Sequence, residues 1–280
     1  MHSSVHVTAL NVYPIKSCGG IALDAAEFGR RGIVHDREFM IVDANRRFLT
    51  QREQPRFALI RPERTDSTLT LQAPGMSRFV LEPTDGVRYP VTIWRDCVMA
   101  ADQGDRVAEW LSEYVGATCR LVRMPDDVVR PVDPDFATTA ADEVGFADGY
   151  PALLISEESL ADLNARLAQA LPMNRFRPNI VVSGAAQPFA EDTWAEIRIG
   201  DLGFSAVKAC ARCITTTTDQ ATAERGPEPL ATLAVYRRVA RGVLFGQNLI
   251  HASPGHIAVG DGVEVVRTAA PPAFLEPAQR

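Results

Sequence analysis

The chain has 280 residues, of which 46% are apolar and 23% charged, with a formal net charge of −6. This is the composition of a soluble globular protein long enough for one large domain or two of ordinary size. The acidic balance argues against nucleic acid as a partner, and no apolar run approaches the roughly 18–20 residues that span a bilayer.

The N-terminal MHSSVHVTALNVYPIKS lacks the pattern of an export signal. Its first part, VHVTALNVYPI, alternates like a strand and ends at a proline. REFMIVDANRRFLTQRE has the form of a hairpin, with Phe39, Ile41 and Val42 before a turn at 43–46 and Phe48 and Leu49 after it. TLTLQAP, FVLEP and VTIWRDCVMAAD each read as one strand. GDRVAEWLSEYVG predicts a helix, because Val107, Trp110, Leu111 and Tyr114 recur at helical spacing and Gly116 can close the C-terminus. CRLVRM is the next strand.

Residues 125–149 then change to prolines, acids and small residues without periodicity, the mark of a linker or an active-site cover. A domain break is expected near residue 123, giving units 1–123 and 124–270 and a tail at 271–280. Beyond it, ALLI leads into Ser156 as N-cap of a helix whose buried stripe is Leu160, Leu163, Leu167 and Leu171. NIVVSG is a strand, IRIGDLGFSAV a hairpin, and EPLATLAVYRR a short helix with Pro229 near its start. LFGQNLI and HIAVGDGVEVV close the chain as strands, the latter a hairpin turning at 260–262. Many antiparallel strands with few helices predict an α+β protein built around a β-barrel.

The chemistry concentrates in KACARCITTTTDQ, residues 208–220. The five cysteines (Cys18, Cys97, Cys119, Cys210, Cys213) are odd in number and scattered, unlike a disulfide framework, so a reducing cytoplasm is expected. Cys97 and Cys119, in apolar runs, are expected to pack. A structural zinc needs four ligands. Cys210 and Cys213 supply two, while His2, His6, His35, His251 and His256 are dispersed. A redox dithiol would sit at a strand-to-helix turn, which the β-branched run after Cys213 disfavours. The third reading is one thiolate on a soft metal or metal cofactor, with Arg212 adding positive charge for an anionic ligand.

A set of segments in order along the chain resembles the MOSC superfamily, in particular the amidoxime-reducing components and their bacterial relatives. They include YPIKSCGG (13–20), DREFMIVD (36–43), TQREQPRFALI (50–60), FADGYPALLISEESLADLN (146–164), NRFRPNIVVSG (174–184), ACARCITTTTDQ (209–220) and FGQNL (245–249). The resemblance implies molybdenum cofactor, a pterin dithiolene carrying a phosphate. It assigns Cys213 as the protein's metal ligand, leaving Cys210 a bystander. Lys16, Ser17, Arg37, Arg177, Asn179 and Arg212 fall on positions that cradle the cofactor, where cations, hydroxyl and amide suit a phosphate and a pterin edge. Gly149 and Tyr150 stand where the mitochondrial proteins have a Thr-Ser pair touching the cofactor. Asp148 matches an aspartate near the metal and is expected to donate or position a proton.

The activity implied is removal of oxygen from N-hydroxylated compounds such as amidoximes and hydroxylamines. The chain has neither a ferredoxin-type cysteine pattern nor a Gly-rich nucleotide fingerprint. Electrons are therefore expected from a separate ferredoxin, cytochrome b5-like carrier or flavoreductase. The same resemblance leaves two alternatives: sulfur transfer through a Cys213 persulfide, and non-catalytic carriage of the cofactor.

Overall fold

The computed structural model describes residues 4–65, 67–240 and 242–275; His2 and residues 276–280 of the expected tail lie outside them. The protein is α+β and mostly antiparallel, with three α-helices among the described residues. The main sheet runs Val263–Thr268, Trp194–Ile199, Leu202–Ala211, Gly242–His251, Ala152–Ser156, Ile180–Ser183, His6–Val12 and Ile21–Leu23. Every neighbouring pair is antiparallel except Ala152–Ser156 with Ile180–Ser183. The sheet curls back on itself: Val7 N–H donates to the Asp261 carbonyl (2.9 Å) and Val263 N–H to that of Val5 (2.8 Å). Such closure removes the open edges that would otherwise pair with other chains. Phe28, Leu154, Ile180, Ile197, Phe204 and Leu249 fill its interior.

A second sheet, Phe39–Asp43, Cys119–Arg123, Asp96–Asp102 and Arg88–Ile93, carries helix α1 (Asp105–Val115) on one face. The four α1 residues expected to face inward are buried, and Gly116 closes the helix in the left-handed conformation (φ 76°). Trp110 and Tyr114 bury their rings yet keep their polar tips paired, Nε1 to the Ser77 carbonyl (2.7 Å) and OH to that of Arg56 (3.1 Å). Residues 6–33 contribute strands to sheets whose other members come from residue 152 onward.

Several expectations are corrected. VTIWRDCVMAAD is two strands, Arg88–Ile93 and Asp96–Asp102, because Trp94 adopts φ 53° and turns the chain without a glycine to mark the place. Cys97 is exposed on the second of these; only Cys119 packs. Helix α2 (Glu157–Asn164) stops at Asn164, where the side-chain amide both donates to the Leu171 carbonyl and accepts from its N–H. Leu167 and Leu171 therefore lie beyond the helix. Gly255–Ala258 and Val263–Thr268 do not pair with each other but diverge, to Ala25–Gly29 and Trp194–Ile199. ITTTT forms a 3₁₀ turn, Ile214–Thr217, because the Thr216 and Thr217 hydroxyls bond back to the carbonyls of Cys213 and Ile214.

Glu38 links three basic segments in this framework. Its carboxylate, 11% exposed, meets Arg123 at 2.5 Å, His35 at 2.8 Å and Arg64 at 3.6 Å. Burial pushes its pKa up, but these partners outweigh it and hold it at about 2. A depressed carboxylate pKa stabilises the fold above the unfolded value and loses that contribution as pH falls. Glu38→Gln is expected to cost about 3 kcal/mol in urea unfolding at pH 7. The gap should close between about pH 4.5 and pH 2; a gap independent of pH would contradict the ion-pair account.

Candidate functional site

Eight charged side chains line a cleft of about 310 Å³ between the barrel and the second sheet. Lys16, Ser17, Arg37, Asp148, Gly149, Tyr150, Arg177, Asn179, Arg212 and Cys213 all lie on its wall, brought there from five separate stretches of chain. Thr50, Arg52, Trp94, Arg175, Lys208 and Asn248 also line it.

Backbone strain marks the same place. Of eight non-glycine residues with positive φ among the described residues, four line the cleft: Ser17 (69°), Arg37 (47°), Trp94 (53°) and Arg177 (57°). Such conformations cost about 1–3 kcal/mol each and persist where the surroundings over-determine them. Ser17 sits in a turn closed by Cys18 N–H to the Ile15 carbonyl (3.1 Å), and the Gln51 amide holds the Ser17 carbonyl (2.7 Å). Arg37 is clamped at both ends, its N–H to the Tyr13 carbonyl (2.7 Å) and its own carbonyl to the Phe146 N–H (2.8 Å). On the barrel side, strand Leu202–Ala211 shifts register against Gly242–His251 twice, at 206–208 and 209–211, just before Cys213. Irregularities of this kind re-aim side chains next to sites.

Residues 125–149 form an ordered wall rather than a linker. Arg130, almost fully buried, donates to the carbonyls of Gly145 (2.8 Å), Ala147 (2.7 Å) and Asp148 (3.4 Å) while pairing with Asp96 (2.7 Å). Gly32 at φ 107° lets its strand pass close to the chain just beyond this wall, since a Cβ there would clash with the Pro151 carbonyl oxygen. At Gly149 a Cβ would meet nothing, so the protein's own packing does not require that glycine.

Seven cations (Lys16, Arg37, Arg52, Arg175, Arg177, Lys208, Arg212) line the cleft against one carboxylate, Asp148, in a chain that is acidic overall. Lys16 is 4% exposed and its ammonium bonds to the Phe146 carbonyl (2.9 Å) and Asp148 (2.5 Å). Burial lowers the Lys16 pKa, opposed by Asp148. Asp148 opens to the cleft with 68% of its side chain exposed. The surrounding walls push its carboxyl up, but Lys16, Arg52 and Arg37 outweigh them and hold it well below the ordinary range.

Arg37 and Arg177 stack on the ring of Tyr13, each guanidinium 4.3 Å from its centroid. Arg37 is neutralised by Asp36 (2.5 Å). Arg177 is 9% exposed; among the described residues its guanidinium makes a single, long hydrogen bond, to Gln220 (3.5 Å), and its buried Nη2 has no partner. Among the described residues no carboxylate lies within ion-pair distance of it. Burial, reinforced by Arg37, brings its pKa down to about 10. A buried cation without a counter-ion is costly unless a ligand supplies the charge.

Asn179 departs from its expected use. Its amide donates to the Asn11 carbonyl and Asp36 (3.1 Å each), and its oxygen accepts from Arg37 (3.0 Å) and Leu153 N–H (3.2 Å). With both donors and both lone pairs taken, it positions Arg37 rather than offering a free edge. Arg212 is partly engaged, donating to Cys210 Sγ (3.0 Å) and the Phe176 carbonyl (2.6 Å), and keeps a buried Nε without a partner.

The two cysteines are thus distinguished by their neighbours. Cys210 also borders the cleft, but it packs in an apolar cluster and meets Arg212. Cys213 lines the cleft, where burial pushes its thiol up and Thr215 and Arg52 outweigh that, leaving its pKa below the ordinary value. Arg52 escaped the sequence reading; it lies in TQREQPRF and also stacks on Trp94, 4.4 Å from the ring centroid. Among the described residues no three His, Cys, Asp or Glu side chains are placed to hold a metal ion together. A metal bound by Cys213 therefore needs most of its ligands from a non-protein group.

The model of the MOSC N-terminal beta barrel domain matches residues 4–118, and that of the MOSC domain matches residues 141–264. The chain is 35% identical to the human mitochondrial amidoxime-reducing component 1, over 92% of this chain and 82% of that protein. It is 36% identical to the mitochondrial amidoxime reducing component 2 of Rattus norvegicus over the same shares. The molybdenum cofactor sulfurase of Oryza sativa subsp. japonica is 33% identical over 87% of this chain but only 32% of that longer protein. No helix among the described residues is long and apolar enough to cross a membrane. By domain content and by identity over most of its length, the chain belongs to the MOSC family, with amidoxime-reducing components among its relatives.

Proposed function

We propose that this protein is a molybdenum-cofactor-dependent reductase that removes oxygen from N-hydroxylated compounds, with electrons delivered by a separate redox protein. The observation that carries the reading is one cleft holding an accessible thiol, Cys213, beside a buried guanidinium, Arg177, that lacks a counter-ion. An anionic cofactor bringing its own metal ligands fits this donor set. Arg177, Lys16, Arg37 and Arg212, with the Ser17 hydroxyl, would hold the phosphate and pterin, each charge-assisted bond contributing about 1.5–3 kcal/mol. Gly149 leaves room for close approach, and Cys213 would be the metal ligand. When bound, the group supplies the two-electron redox chemistry, while the chain binds, orients and excludes water. The five free cysteines support a reducing compartment, the cytoplasm.

Asp148 acts here as an anchor for the Lys16 ammonium. Held ionised, it has no proton to donate near neutrality, and its carboxylate fixes the Lys16 side chain at the cleft wall. Asp148→Asn should lower kcat/KM without moving the acid limb of the profile between pH 5 and 8. A displaced acid limb would show that the carboxyl itself transfers the proton. The activity is tested by reduction of benzamidoxime with a chemically reduced dye as donor. Turnover to benzamidine supports the reading; a molybdenum-loaded protein inert toward amidoximes and hydroxylamines would sink it in favour of a carrier.

A further inference from the structure

Next to the cofactor cleft lies a second cavity of about 630 Å³. Trp94, Asp148, Gly149, Tyr150 and Lys208 line both, so the two spaces adjoin at a border that includes two aromatic rings. The charges of this antechamber do not cancel. Its carboxylates are all taken: Asp133 by Arg95 (2.7 Å), Asp96 by Arg130 (2.7 Å) and Asp148 by Lys16 (2.5 Å). Lys208 and Arg47 also line it, and among the described residues neither has a carboxylate within 4.0 Å.

Lys208 is also held in place. It belongs to the register shift at 206–208, and its carbonyl accepts from the Asn248 amide (3.1 Å). Its ammonium stands 3.9 Å from the centroid of Phe136, whose ring meets Tyr150 edge-on at 6.1 Å. Contact with a ring face localises the cation without neutralising it. The Tyr150 phenol, raised to about 12 by burial and Asp133, stays neutral and adds no opposing charge.

We propose that Lys208 and Tyr150 form a substrate-selecting subsite in this antechamber, which takes aromatic N-hydroxylated compounds bearing a carboxylate. The ring sits at this border, between Trp94 and Tyr150, and the carboxylate pairs with Lys208. The proposal takes its substrate class from the reductase reading, but binding at the subsite can be measured apart from turnover.

The test is calorimetric titration of the purified holoprotein with para-carboxybenzamidoxime and with uncharged benzamidoxime. The charged compound is expected to bind about tenfold tighter, the scale of one charged hydrogen bond. Lys208→Met should bring the ratio of the two constants to within about twofold, and Lys208→Arg should restore it; melting curves confirm that both variants fold. Equal affinities in the wild type, or a ratio that survives Lys208→Met, would overturn the subsite. If the ratio responds to Lys208 but neither compound is reduced, the reductase reading falls and the subsite stands. If both are reduced with no charge preference, the outcome is reversed.

Discussion

Replacing Cys213 with serine should lower benzamidoxime reduction by more than about 100-fold, since even partners once removed from a metal typically contribute 10–100-fold. The variant should fold normally. Cys213 is half-buried at the start of a 3₁₀ turn whose hydrogen bonds use its backbone carbonyl, and a serine keeps that carbonyl. The change therefore separates chemistry from architecture. Cys210→Ser provides the contrast: Cys210 contacts Arg212 and an apolar cluster, so its loss should lower stability modestly and leave most activity. Equal loss in the two variants, or full activity in Cys213→Ser, would contradict the single-thiol account.

The second large effect is expected at Arg177. In the cofactor-free chain this guanidinium is buried, partly unpartnered and close to another cation. Arg177→Met removes that unfavourable charge while keeping the apolar stem. Unfolding of the cofactor-free variant should then occur at the same denaturant concentration as wild type or a higher one. Cofactor retention should fall at least tenfold, the equivalent of losing one charged hydrogen bond. The opposite signs are what distinguish a ligand-binding arginine from a structural one. A variant that loses stability without the cofactor would mean that Arg177 holds the fold together.

The contrast between neighbouring residues explains what a sequence reader can and cannot reach here. Helix α1 was legible because Val107, Trp110, Leu111 and Tyr114 share one face, a purely local pattern. The turn at Trp94 was not, because tertiary contacts with Phe48 and Arg52 hold a left-handed tryptophan that no turn residue announces. The divergence of the last two strands depends on partners some 60 to 230 residues away, beyond any local signal. At the site, resemblance named residues that the structure gathers around one cleft, but residue type does not show which of their polar groups are already engaged. The Asn179 amide is fully engaged, and Asp148, expected to donate or position a proton, is paired with Lys16. Arg52 and Arg130 were passed over because surface arginines are common, and only burial and partners separate these two from the rest.

The central claim is that one protein thiolate holds a molybdenum cofactor in this cleft. It is tested most directly by molybdenum content, measured by elemental mass spectrometry on wild type and Cys213→Ser purified from a host that makes the cofactor. The account predicts close to one metal per wild-type chain and a clear loss in the variant. A wild type without molybdenum, or a variant that keeps the full complement, would contradict it.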